Sequence, residues 1–240
     1  MVKLNLISYS GLLDGLSATG VIISSCVFGI LFFHKSLKLK AKLLTFAGIM
    51  TFFAGLFYLG PFSDFMSVIL TGDNLENPVT IGIYGRLSYM WVAPSLICAM
   101  YIGSELIKPN KKWFIVSIYI ILGAIFELFL FYNTMHSFTF ILENPGEDLI
   151  DASFVLGHPT FILIAIFLLS ILIFNGFGFL YKSFQSTGIL RRKFLFLSLG
   201  FLIFVIGGTG DSLISPGVTL VFIRILMVIS SWVLYLGFKK

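Results

Sequence analysis

The amino-acid sequence predicts an all-α membrane protein: one domain over residues 1–240, a seven-transmembrane helix bundle with its N-terminus outside and its C-terminus cytoplasmic. Three observations carry this expectation. Hydrophobic residues make up 58% of the chain and charged residues 11%, with a mean hydropathy of +1.02, whereas soluble domains are about one quarter charged. The apolar residues fall in runs of about 20, the length that crosses a hydrocarbon core of about 30 Å as a helix. The basic residues cluster in alternate loops.

In chain order, the first predicted span covers residues 12–33 and runs into a basic loop from His34 to Lys42. The second, 43–64, passes Gly48 and Gly55 and reaches Pro61 and Asp64; a polar loop over 71–78, rich in Gly, Asp, Asn and Pro, follows it. The third, 83–107, carries Arg86, Trp91 and Pro94 and stops at Lys108-Pro109-Asn110-Lys111-Lys112. The fourth, 113–132, contains Glu127. An acidic connection over 133–157 follows, with a short amphipathic or surface segment expected over 138–142. Pro159 opens the fifth span, 159–181, which meets a basic loop ending Arg191-Arg192-Lys193. The sixth and seventh cover 194–211 and 217–238.

Thirteen of the sixteen Lys and Arg lie in the loops after the first, third and fifth spans or at the C-terminus, among them Lys35, Lys42, Lys108, Lys112, Arg192 and Lys240. The positive-inside rule puts those segments in the cytoplasm. The other face is acidic, with Asp73, Glu76, Glu143, Glu147, Asp148 and Asp151. Lys3 is the one charge ahead of the first span and no small-residue cleavage pattern follows it, so no removable signal peptide is expected. The net charge of +5 is thus a topology signal, and no nucleic-acid partner is expected. Cys26 and Cys98 both sit in apolar segments, which suggests neither a disulfide framework nor a cysteine metal site. Three histidines without paired spacing suggest no metal, and no nucleophile stands at a recognisable distance from a base. No cofactor, no catalytic residue and no enzymatic activity are expected.

The ionisable residues inside the spans are the informative set. Asp14, Asp64, Arg86, Glu127, Asp211 and Arg224 all map to the outer half of their helices, and Trp91 joins them on the third span. Arg224 lies seven residues past Gly217, about 10 Å down a helix that rises 1.5 Å per residue. A guanidinium at membrane depth costs about 2.5–3.5 kcal/mol on insertion scales, so Arg224 is expected to face the protein interior and meet an acid. Asp211 is the first expected partner, Asp14 or Asp64 the second. Asp14, Ser17 and Ser24 share one helix face, as do Arg224, Ser231 and Tyr235. Two meanings stand open: a buried charge network that pins helices together, or an outward-facing polar pocket for a ligand.

A parallel 3+1+3 pseudo-repeat is suggested by glycines seven apart in the second and sixth spans, Gly48/Gly55 and Gly200/Gly207. Each pair is followed by an outer-end acid and then an arginine in the next span. The inner halves of those spans, 43–53 and 194–204, are nearly continuous Leu, Ile and Phe, which favours binding from one side only.

Seven spans joined by short loops resemble the layout of microbial rhodopsins and the wider opsin, receptor and transporter architecture. Arg86-Leu87-Ser88-Tyr89-Met90-Trp91-Val92-Ala93-Pro94 is similar to the rhodopsin third helix, although Tyr89 stands where the counter-ion acid would be. The seventh span has no lysine before Lys239, so the attachment point for retinal is missing. Phe57-Tyr58-Leu59-Gly60-Pro61-Phe62-Ser63-Asp64 and Arg191-Arg192-Lys193-Phe194-Leu195-Phe196 resemble uncharacterised archaeal seven-transmembrane proteins, a group that brings no activity with it. Sugar transporters of the three-one-three arrangement are less similar, because their Pro-Gln signature is absent.

The expected function is that of a receptor-like or sensor-like multi-pass protein of the cell membrane; the alternative is a small-molecule or ion transporter. Its expected partners are the lipid bilayer, a small-molecule or lipid ligand from the outer side, and a cytoplasmic protein or anionic lipid at the basic loops. The sequence is silent on oligomeric state.

Overall fold

The computed structural model describes residues 7–238, so Lys3, Lys239 and Lys240 lie outside the described residues. Long helices form wherever the apolar runs do, and the capping residues are local. α1, Tyr9–Leu39, starts at Ser8, whose hydroxyl accepts from the Gly11 N–H at 2.9 Å, and stops at Lys40 in the left-handed region with φ 50°. α2 runs Lys42–Thr71 and closes on Gly72 with φ 87°. α3, Pro78–Ile107, is capped by Asn77, with Pro78 in the first turn, where its missing N–H has no role to fill. α4 is Pro109–Tyr132, and α5, Pro159–Phe184, begins at a His158 cap. α6 is Gly188–Asp211 and α7 is Val218–Phe238.

Six of these helices, all except α6, are long and apolar enough to cross a membrane, which makes the chain a helical multi-pass membrane protein. They outrun the expected spans. α1 continues through Lys35 and Lys38 for 31 residues, about 46 Å at 1.5 Å per residue, because lysine is a good helix former and nothing breaks the turn before Lys40. The Arg191-Arg192-Lys193 run, expected in a loop, lies inside α6, because Gly188 at φ 59° turns the chain straight into that helix. Two further irregularities have proline causes. Pro61 cannot donate to the carbonyl one turn back, and a 3₁₀ turn at Leu56–Tyr58 interrupts α2 there; Pro94 does the same to Met90, where α3 breaks between Tyr89 and Val92.

The connection over 133–157 corrects the expectation of a single surface segment. β1, Phe138–Ile141, pairs antiparallel with β2, Asp151–Phe154, in the register Phe138↔Phe154 and Ile141↔Asp151. Phe138-Thr139-Phe140-Ile141 alternates buried, exposed, half-buried and exposed, the period-2 pattern of a strand with one covered face. This hairpin is the one β-sheet among the described residues.

Consecutive helices run antiparallel and touch where side chains are smallest. A Cβ on Gly48 would stand 2.9 Å from the Gly29 carbonyl, and one on Gly29 would stand 3.0 Å from the Gly48 carbonyl, so α1 and α2 meet backbone to backbone. Gly200 and Gly207 serve α6 in the same way, against Leu234 and Met227 of α7. The two glycine pairs thus face different neighbours, the preceding helix in the first half and the following helix in the second. Phe32, Met100, Ile102, Phe179 and Phe201 are fully buried and fill the end of the bundle that carries the basic loops. Fully buried Asn175, in a π-helical turn at Ile171–Phe177, donates to the Ala99 carbonyl at 2.8 Å and ties α5 to α3.

Gly48→Ala should therefore lower stability by about 1–3 kcal/mol, the cost of overpacking a close contact. Gly20→Ala, where a Cβ meets nothing within 4 Å, should cause no loss. Thermal unfolding of the two variants in the same detergent checks this.

Candidate functional site

Arg224 organises the site. It is 4% exposed on α7, and its guanidinium meets three helices. One Nη pairs with the carboxylate of Asp14 on α1, and the same nitrogen donates to the Asp14 carbonyl at 2.7 Å and to the Ser17 hydroxyl at 2.8 Å. Nε donates to Asp211 Oδ1 on α6 at 3.1 Å. The cation lies 5.1 Å from the Tyr58 ring centroid on α2. The expected pairing with Asp211 is present, and Asp14 is a second and more buried partner, 3% exposed. Asp14 and Ser17, predicted to share a face, do so at this arginine.

Beside the triad lies a cavity of about 120 Å³. Asp14, Asp211 and Arg224 line it together with Tyr58, Tyr84 and Tyr89; Leu96, Phe167 and Ile171 form its deep apolar wall. Ile150, Asp151 and Ala152, at the start of β2, close it on the hairpin side. The basic-loop end is filled by the phenylalanines described above, so the cavity belongs to the hairpin end of the bundle.

Asp64 holds that roof and takes no part in the arginine site. It is fully buried, and its carboxylate accepts from the Leu75 N–H, the Ile150 N–H and the Asn74 amide, each at 2.9 Å. Asn74 also donates to the Asp148 carbonyl at 2.9 Å and accepts from the Gly146 N–H at 2.6 Å. The Tyr84 hydroxyl donates to the Ile150 carbonyl at 2.8 Å. The start of α1 joins the same knot: Asp148 accepts from Ser8, from Ser10 at 3.1 Å and from Asn144 at 2.6 Å. Burial works against ionisation of Asp148, but these hydrogen bonds outweigh it and hold its carboxyl below the usual range. Asp151 goes the other way: burial, then the negative charges of Asp14 and Asp211, push its carboxyl up.

Arg86, Trp91 and Glu127 also stay outside the cavity. Arg86 meets no acid among the described residues; it donates to Thr134 Oγ1 at 3.1 Å and to the Phe131 carbonyl at 3.2 Å, with the Phe131 ring centroid 6.0 Å away. Trp91 stacks on Phe53 at 5.7 Å, and its Nε1 has no partner among the described residues. Both carboxyl oxygens of Glu127 are likewise buried without a partner. The expected set thus divides into an arginine site (Asp14, Asp211, Arg224), a roof anchor (Asp64) and three residues on the α3 and α4 side. Asp151 and the tyrosines were not among the expected site residues. The signal for Tyr58, Tyr84 and Tyr89 was their recurrence in helices that also carry Asp64 and Arg86. Among the described residues no group of three or more His, Cys, Asp or Glu could hold a metal ion.

Removing the guanidinium leaves Asp14 buried and uncompensated, so Arg224→Met should cost about 3–5 kcal/mol, by analogy with broken buried pairs. Arg224→Met with Asp14→Asn should recover most of that loss. Arg224→Met with Asp211→Asn should recover less, because the Asp211 side chain is 27% exposed and can be hydrated. Thermal unfolding of the single and double variants gives the coupling energies. At the roof, Asp64→Ala strands the N–H groups of Leu75 and Ile150 at about 1–3 kcal/mol for each buried donor. Hydrogen exchange should accelerate over 72–77 and 144–152 and change little in the helices.

No protein-family model matches this chain, and no curated protein matches it.

Proposed function

We propose that the chain is a receptor-like or sensor-like seven-helix protein of the cell membrane, whose hairpin end faces outward and whose cavity receives a ligand from that side. The carrying observation is the cavity itself, which is roofed by a tethered hairpin and backed by a filled apolar core. α6 would be the seventh span: its 24 residues extend about 36 Å, and Phe194 to Ile206 is apolar but for Ser198 and Gly200. The alternation of basic loops supports the outward hairpin, and the basic face is suited to anionic lipid or a cytoplasmic partner. Likeness to rhodopsins and to archaeal seven-span proteins belongs to the same proposal; α7 holds buried Ser230 and Ser231 and no lysine, so a retinal Schiff base is not part of it. The shared use of both glycine pairs for close helix contact supports a 3+1+3 repeat, while their different neighbours weigh against it. No catalytic role is proposed.

A specific observation favours the transporter as a second reading. Three helices, α2, α3 and α5, have irregular turns in mid-course, and transporters build sites from such interrupted helices.

Accessibility separates the two. In a background of Cys26→Ser and Cys98→Ala, Ser95→Cys at the cavity wall should react with a small impermeant thiol reagent from the outside only, as should Asn74→Cys and Glu147→Cys. Asn110→Cys and Gln185→Cys should react only from the cytoplasmic side. Modification of Ser95→Cys from both sides would favour the transporter, and cytoplasmic labelling at Asn74→Cys would overturn the orientation.

A further inference from the structure

We propose that the cavity selects a small organic cation, a protonated amine with an apolar body of about benzene size, its ammonium group held at Asp151. The proposal rests on the outward-pocket reading above and adds the chemistry of the ligand. Charge gives the sign. Three carboxylates, Asp14, Asp151 and Asp211, share the lining with one guanidinium, Arg224. That guanidinium is engaged through Nε and one Nη by Asp14, Asp211 and Ser17; its other Nη has no partner among the described residues, but an anionic ligand would reach it only against three carboxylates on the same lining. Asp151 is half-buried on the cavity wall and has no hydrogen bond or ion pair from any described side chain. Asp14, almost fully buried on the same wall, has Arg224 as its sole side-chain partner among the described residues. The unmet charge of the cavity is therefore negative.

The neighbours of Asp151 define what carries the positive charge. Tyr84 and Tyr89 line the cavity as Asp151 does, and a ring face attracts an ammonium electrostatically. The Tyr58 ring already has Arg224 over it and Tyr89 is stacked on Phe138, which leaves Tyr84, stacked on no described ring, as the freer face. Tyr89 is braced by Phe138 at 4.5 Å, so the hairpin that supplies Asp151 also positions that ring. Past the tyrosines the wall is largely Leu96, Ile164, Phe167 and Ile171, with Ser95 among them, a surface suited to an apolar body. Size sets the rest: 120 Å³ is a little below an engineered apolar cavity of about 150 Å³ that takes up benzene.

The test is calorimetric titration of the purified full chain in nanodiscs with three isosteres, benzylamine, benzyl alcohol and benzoate, and separately with sodium chloride. Benzylamine should bind at least tenfold more tightly than the alcohol, about 1.4 kcal/mol, and benzoate should be the weakest. Asp151→Asn should lose at least tenfold in benzylamine affinity, and Asp151→Glu should keep it within a few-fold. Because the isostere series is run on the wild-type chain, it stands even where a variant fails to fold. Equal binding of the three isosteres, preference for benzoate, no binding of any, a full response to sodium alone, or unchanged affinity in Asp151→Asn would each overturn the proposal. Outside-only labelling of Ser95→Cys in that event would leave the pocket reading standing; absence of that labelling would remove both.

Discussion

An arginine inside a low-dielectric bundle is the constraint on which the hairpin end of this protein depends. Arg224 cannot shed its charge, and its hydration is lost at 4% exposure, so surrounding groups must supply what water would. Asp14 and Asp211 supply the countercharge, the Asp14 carbonyl and Ser17 supply acceptors, and Tyr58 supplies a ring face. These groups come from α1, α2 and α6, and Arg224 stands on α7, so satisfying one side chain fixes where four helices stand relative to one another. The cost of separating them is the cost of an unpaired buried charge, which is what makes the arrangement specific.

The cavity exists because the same end of the bundle cannot close by helix packing alone. Toward the basic loops the helices meet through glycines and fully buried phenylalanines. Toward the hairpin they are held apart by the arginine cluster, and the gap is covered by backbone from the loops over 72–77 and 144–152. Such backbone needs partners, and Asp64 provides them by accepting two backbone N–H groups and one amide. Arg224 thus spaces the helices and Asp64 fastens the cover. Asp14 is met by opposite charge and Asp64 by hydrogen bonds alone, and that difference separates two aspartates that look alike in the sequence.

The irregular turns in α2, α3 and α5 place small polar groups at depth without exposing backbone to lipid. Ser95 donates to the Met50 carbonyl at 3.2 Å, Ser198 to the Gly176 carbonyl at 2.8 Å and Asn175 to the Ala99 carbonyl at 2.8 Å, each between helices. Interhelical bonds of this kind account for polar residues in runs that are otherwise Leu, Ile and Phe.

The membrane class, the helices and the burial of Arg224 against Asp211 were legible in the sequence, because each follows from a local rule: apolar run length, capping residues, and the cost of a charge at a counted depth. Asp14 was legible as an alternative partner from its position and shared face with Ser17. The hairpin was not, although Phe138-Thr139-Phe140-Ile141 alternates, since a strand is defined by its partner and Asp151–Phe154 read as acidic loop. The separation of Asp64, Arg86 and Glu127 from the arginine site was likewise decided only in three dimensions. Their depth along a helix follows from counting residues; which way they face depends on bends at Pro61 and Pro94 and on partners as distant in sequence as Ile150. Asp151 shows the reason most clearly: its charge is visible in the chain, but its place on a cavity wall with no cation of its own exists only once the hairpin folds back over the helices.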